Sequence, residues 1–171
     1  MNVDETYTRQ NMTPGYARTP QGERAYGYVP RNYGQGTTLI TALTTHGMET
    51  AMVIEGAVDR SVLQAYMEHC LVPVLRSGQV VLLDNLSTHK DPAIEAMIIA
   101  AGCRLVYLPP YSPDYAPIEQ AFAKIKEFLR RRAARTQEEL DAAIAEALDL
   151  ITAEDARGYF GHCGYQWPVA I

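Results

Sequence analysis

Three carboxylates, Asp4, Asp84 and Glu119, stand where the ends of strands and helices would present them to a ligand. Asp84 closes the apolar run Val80-Val81-Leu82-Leu83. In sheets flanked by helices, ligands bind beyond the carboxyl ends of the strands, so an acid there is well placed for chemistry. Glu119 follows Pro117, which suits the first position of a helix. That puts Glu119 in the first turn, where the helix dipole favours a negative charge. Asp4 follows only Met1-Asn2-Val3. Each acid alone has a plainer reading: a turn after a strand for Asp84-Asn85, an ordinary helix-start glutamate for Glu119, and a frayed polar end for Asp4. Taken together they are more specific. Mg²⁺ takes one or two carboxylates and keeps waters and phosphate oxygens. Two such ions about 4 Å apart can activate an attacking oxygen and stabilise a leaving one. Converging carboxylates of this kind therefore point to phosphoryl transfer on DNA or RNA. A weaker grouping is Asp84, His89 and Asp91, three potential metal ligands close in sequence, which would suit another metal hydrolase but leaves Glu119 idle.

The elements that must position these side chains follow from periodicity and punctuation. Residues 37–43 and 50–54 are β-prone runs around His46-Gly47, as in an antiparallel hairpin. Asp59 opens a helix whose inward face is Val62, Leu63, Tyr66, Cys70 and Val74, at three- and four-residue spacing. Residues 79–83 read as a central strand, apolar without alternation. Asp91-Pro92 supplies a cap and a first-turn proline for a helix that Gly102 closes, and residues 104–108 are a further strand. The block Pro109-Pro110-Tyr111-Ser112-Pro113-Asp114-Tyr115-Ala116-Pro117 is a loop. A helix over residues 117–134 carries the stripe Ile118, Phe122, Ile125, Phe128 and Leu129. Thr136-Gln137-Glu138-Glu139 is a capping box for a helix to about Ile151, and residues 152–155 are a possible second cap. A short leading strand over residues 1–5 fits the same sheet, and residues 159–171 receive no assignment. Strands gathered early and alternating with helices later predict an α/β fold, a mixed central sheet flanked by helices.

The chain has 171 residues, 47% of them apolar and 20% charged, the balance of one ordinary folded domain. Cys70, Cys103 and Cys163 are odd in number without CxxC spacing, so they read as buried thiols rather than a disulfide frame or zinc ribbon. No apolar run approaches the ~20 residues that span a bilayer, and no signal-peptide pattern opens the chain, so a cytoplasmic protein without membrane contact is expected. Net charge is -5, which argues against a uniformly basic nucleic-acid binder. The distribution is uneven. Lys124, Lys126, Arg130, Arg131, Arg132 and Arg135 face a single acid, Glu127, while residues 136–155 hold seven acids and no base. Two helix faces attracting each other, or a phosphate-contacting patch, would both produce this pattern.

Asp4-Glu5-Thr6, Leu83-Asp84-Asn85 with His89-Lys90, and the proline block with Pro117-Ile118-Glu119-Gln120 resemble the three acidic blocks of DDE transposases, in particular the bacterial insertion-sequence branch of the mariner superfamily. The 34 residues between Asp84 and Glu119 match the family's habitual spacing. The resemblance implies an RNase H-like fold in which Asp4, Asp84 and Glu119 hold two Mg²⁺ or Mn²⁺ ions. It further implies cleavage of DNA at transposon ends, with water as nucleophile, and joining of the freed 3′-hydroxyl to target DNA. Asn85 and His89 match the second block as supporting or DNA-contacting groups, and Tyr111 and Ser112 would line the approach to the site. The helix after Glu119 would bring Lys124, Lys126, Arg130, Arg131 and Arg132 to the DNA backbone, where contacts position the duplex without reading it.

Two departures from the family pattern stand out. Only three residues precede Asp4, fewer than an average strand supplies, and the helix-turn-helix modules that normally precede the first acid are absent from this chain. Ala116 stands where the family often has asparagine. The resemblance therefore implies one truncated catalytic domain over residues 1–171, bacterial and nucleoid-associated when bound to DNA. It would act as a homodimer or with a separate helix-turn-helix chain that supplies end recognition. The competing expectation is a catalytically incomplete remnant that only dimerises or binds DNA.

Overall fold

The computed structural model describes residues 1–31, 34, 36–86 and 90–166. Five strands form one mixed sheet: β1 (Asn2–Thr8), β2 (Thr37–Thr44), β3 (Gly47–Glu55), β4 (Val80–Leu83) and β5 (Arg104–Tyr107). Their order is β3-β2-β1-β4-β5. β2 runs antiparallel to both β1 and β3, whereas β1, β4 and β5 run parallel. Helices α1 (Arg60–Tyr66), α2 (Pro92–Ala100), α3 (Pro117–Arg132), α4 (Gln137–Asp149) and α5 (Ala153–His162) cover both faces, so the expected mixed sheet flanked by helices is what forms.

The leading strand is longer than expected. Thr6, Tyr7 and Thr8 are β-branched or aromatic, and they continue the ladder to β2 opposite Leu39, Thr38 and Thr37. Asp4 thus lies inside a seven-residue strand rather than at the end of a short one. The expected hairpin forms, with Gly47 at φ 126° after the turn. Every residue of β2 is buried, and its side chains alternate between two cores. Leu39 and Leu43 pack with Ile118, Phe122, Ile125 and Leu129 of α3 and with the inner faces of α4 and α5. Ile40 and Ala42 pack with Val3, Val81 and Leu83 against Leu63, Tyr66, Ile94 and Ile98 of α1 and α2.

The helix opened by Asp59 does not keep one stripe through Val74. Pro73 lacks an N–H and crowds the preceding turn, and the helix loosens into a π turn (Met67–Leu71) and then a 3₁₀ turn (Val72–Val74). The change of pitch moves the buried stripe from Cys70 and Val74 to Met67 and Leu71. The other helix starts follow the sequence closely. Asp91 caps α2, and Thr136 and Thr152 each form a reciprocal capping box. Of the three free cysteines, Cys103 and Cys163 are buried and Cys70 is partly so. No helix among the described residues is long and apolar enough to cross a membrane.

Candidate active site

The sheet register brings the first two acids side by side. Asn2 of β1 pairs with Leu82 of β4 in the parallel ladder, and two residues further along both segments stand Asp4 and Asp84. Neighbouring strands lie about 4.8 Å apart, and side chains two residues apart share a face. Val3, Val81 and Leu83 point to the α1/α2 core, so Asn2, Asp4, Leu82 and Asp84 point to the α3 side. The first turn of α3 arrives on that side. Pro117 occupies its first position, and Glu119 its third, with the Glu119 N–H donated to Ala116 O at 3.1 Å. The three carboxylates line one cleft of about 350 Å³, together with Asn85, Tyr111 and Ser112.

Electrostatics report the same convergence. Burial pushes the Asp4 carboxyl up to about 7, and the negative charges of Glu5, Asp84 and Glu119 push in the same direction, against a backbone hydrogen bond from Glu5 at 2.8 Å. A carboxyl in this state releases its proton readily once positive charge arrives beside it. Asp84 accepts from Leu86 N at 3.1 Å, so it makes the turn after its strand and faces the cleft as well. Among the described residues no three His, Cys, Asp or Glu side chains are gathered about a single point. An all-oxygen set spread around a cleft fits Mg²⁺ or Mn²⁺, ions that complete their shell with water and substrate oxygens, and not a closed cage of nitrogen or sulfur ligands.

The remaining candidates divide. Asn85 lines the cleft and is half-buried, whereas His89 lies outside the described residues. Tyr111 is fully exposed at the lip in the left-handed region, φ 56°, an uncommon conformation for a residue with a side chain. Ser112 donates to Pro110 O at 3.2 Å and stabilises the loop. Along α3, Lys124 is paired with Asp155 at 2.7 Å, Arg131 with Glu127, and Arg132 with Glu146 of α4. Lys126 and Arg130 make no ion pair among the described residues. The acids after residue 136 thus neutralise part of the basic run, as the helix-face reading expects. Asp91 is committed elsewhere: it accepts from Ala93 N and Gln64 Nε2, each at 2.8 Å, and lies 3.7 Å from Arg60. The grouping of Asp84, His89 and Asp91 loses a ligand by that commitment.

Three features had not been anticipated. Residues 9–31 leave the sheet between β1 and β2 and present Arg18, Arg24, Arg31, Tyr16, Tyr26 and Tyr28 to solvent. Alternating basic and aromatic residues there were the available signal. Tyr165, beyond α5, donates its hydroxyl to Tyr115 O at 2.8 Å and braces the proline loop. Asn2 is buried beside the acids, which only the alternation of β1 could have suggested.

Residues 1–141 match the family model described as DDE superfamily endonuclease. A search of curated protein sequences gave no significant match. Among solved structures, the Mos1 transposase paired-end complex with left transposon end superposes with a TM-score of 0.77 at 17% identity, covering 95% of this chain and 51% of the other. The Mos1 strand transfer complex gives 0.76 at 18% identity, with 95% and 50% covered. The Mos1 transposase catalytic domain with Raltegravir and Mn gives 0.70 at 15% identity, with 95% and 76% covered. The chain spans about half the length of the transposase chains in the first two structures. At these identities the likeness concerns the fold, which is the RNase H-like fold of the Mos1 catalytic domain. With the family model covering both the sheet and the helix that bear the three acids, the chain belongs to the DDE superfamily of endonucleases.

Proposed function

We propose that this chain is the catalytic domain of a transposase, cutting DNA strands at transposon ends and joining the freed 3′-hydroxyl to target DNA. The observation that carries the reading is the meeting of Asp4, Asp84 and Glu119, from one strand, the turn that follows its neighbour and one helix start, in a single cleft. When bound there, two Mg²⁺ or Mn²⁺ ions would supply Lewis-acid activation of the nucleophile and stabilisation of the leaving 3′-oxygen. Asp4 and Asp84, on adjacent segments of the sheet, form the rigid side of the site, and Glu119 faces them from α3. Asp4 is largely withdrawn from water, and charges interact more strongly in such surroundings than in bulk solvent. Asn85, Tyr111 and Ser112 border the path by which a phosphodiester reaches the acids.

DNA is the proposed partner. Lys126 and Arg130 are the basic groups of α3 left without an acid among the described residues. Arg18, Arg24 and Arg31 add exposed charge for phosphates, and the neighbouring tyrosines add faces on which bases stack. The proposed assembly is a homodimer, or this domain acting with a separate helix-turn-helix chain that supplies end recognition. The complete β1 supports this reading over that of an incomplete remnant, whose premise was a shortened first strand.

Nicking of supercoiled plasmid in Mn²⁺ tests the proposal. The expected result is a nicked product made by the native chain and by Asp91→Ala, and none by Glu119→Ala. Nicking that persists in Glu119→Ala would overturn it.

A further inference from the structure

We infer that Asn2 is a positioning residue for the three carboxylates, an inference that rests on the metal-site reading above. Its side chain is 1% exposed, and each polar atom is committed. The Asn2 Oδ1 accepts from Ile118 N at 3.1 Å, and the Asn2 Nδ2 donates to Leu82 O at 3.3 Å. Those partners fix which end of the carboxamide is which, because an amide N–H needs the oxygen and a carbonyl needs the nitrogen. One side chain therefore ties together the strand two residues before Asp4, the strand two residues before Asp84 and the helix one residue before Glu119.

The start of α3 explains why the link is needed. The first N–H groups of a helix have no partner inside it. Pro117 has no N–H to satisfy, so the first N–H of α3 is that of Ile118, and Ala116 at the cap position offers it no side-chain acceptor. A serine or asparagine cap would satisfy it locally and leave the helix free to shift relative to the sheet. Here the acceptor comes from β1, so the cap and the docking of the helix are the same contact. Aspartate in place of Asn2 would lose the donor to Leu82, leucine would lose both bonds, and glutamine would be one methylene too long.

The test separates capping from positioning by moving the cap. Mn²⁺ is titrated into the full chain, with the free ion followed by electron paramagnetic resonance, for native, Asn2→Ala, Ala116→Asn and the double variant, alongside thermal melts. An asparagine at 116 accepts from the first-turn N–H groups. The expected result is affinity weakened at least about tenfold by Asn2→Ala in both backgrounds, the range seen when supports of metal ligands are removed. The melting temperature should recover in the double variant while the affinity does not. Recovery of both, or unchanged affinity in either background, would reduce Asn2 to a cap and overturn the inference. If Asn2→Ala alone does not fold, the double variant against Ala116→Asn gives the same comparison. Absence of Mn²⁺ binding by the native chain would instead overturn the metal-site reading itself.

Discussion

Asp4 is held between opposing demands: burial and three neighbouring carboxylates favour its neutral form, and a metal ion requires the charged one. Its folded pKa of about 7 lies above the ordinary 3.8, so between those values the folded chain holds a proton that the unfolded chain has released. Stability of the metal-free chain therefore falls as pH rises through that window and levels off above about 7. Urea midpoints at pH 5.5 and pH 8 check this, since Asp4→Asn should flatten the decline, and an equal decline in the variant would assign it to other groups. Asp84 and Glu119 could be found from sequence because each sits at a recognisable boundary, an apolar strand's end and a proline-started helix. Asp4 could be found only through resemblance to a family, since nothing local marks it. The alternation of β1 could suggest a buried Asn2 but not its role, because its partners at positions 82 and 118 meet it only in the folded sheet.

Helix α3 decides where Glu119 stands, and its position depends on apolar packing along its length. Ile118, Phe122, Ile125 and Leu129 are each at most 2% exposed and fill the space between sheet, α4 and α5. Ile125→Ala should cost about 2–5 kcal/mol, the range for emptying a buried aliphatic site, measured by chemical denaturation. A loss under about 1 kcal/mol would mean that the neighbours collapse into the space. Helix starts were readable because proline and capping boxes act within four residues. The length of β1 was not, because Thr6 to Thr8 owe their strand state to a partner some thirty residues away. The shift of stripe after Tyr66 was missed for a different reason: the pattern assumed an unbroken α-helix across Pro73.

At the scale of the whole molecule the proposed DNA partner must be reconciled with a net charge of -5. Ion pairing hides part of the basic run of α3, so the five bases there do not act as one patch. Neutralising Lys126 and Arg130 together should weaken DNA binding and flatten its salt dependence by about 0.9 per lost phosphate contact. Neutralising Arg132, tied to Glu146 of α4, should change the slope little and stability by at most about 1 kcal/mol. Fluorescence anisotropy across a KCl series distinguishes the two, and equal slopes for both variants would contradict this division of roles.

Mn²⁺ binding by calorimetry on the native chain and on Asp4→Ala, Asp84→Ala and Glu119→Ala tests most directly whether the three acids form one metal site. It needs no recognition of DNA ends. The expected result is binding by the native chain that each substitution weakens. A folded native chain that takes up no Mn²⁺, or an Asp4→Ala variant that binds as the native chain does, would contradict a shared site.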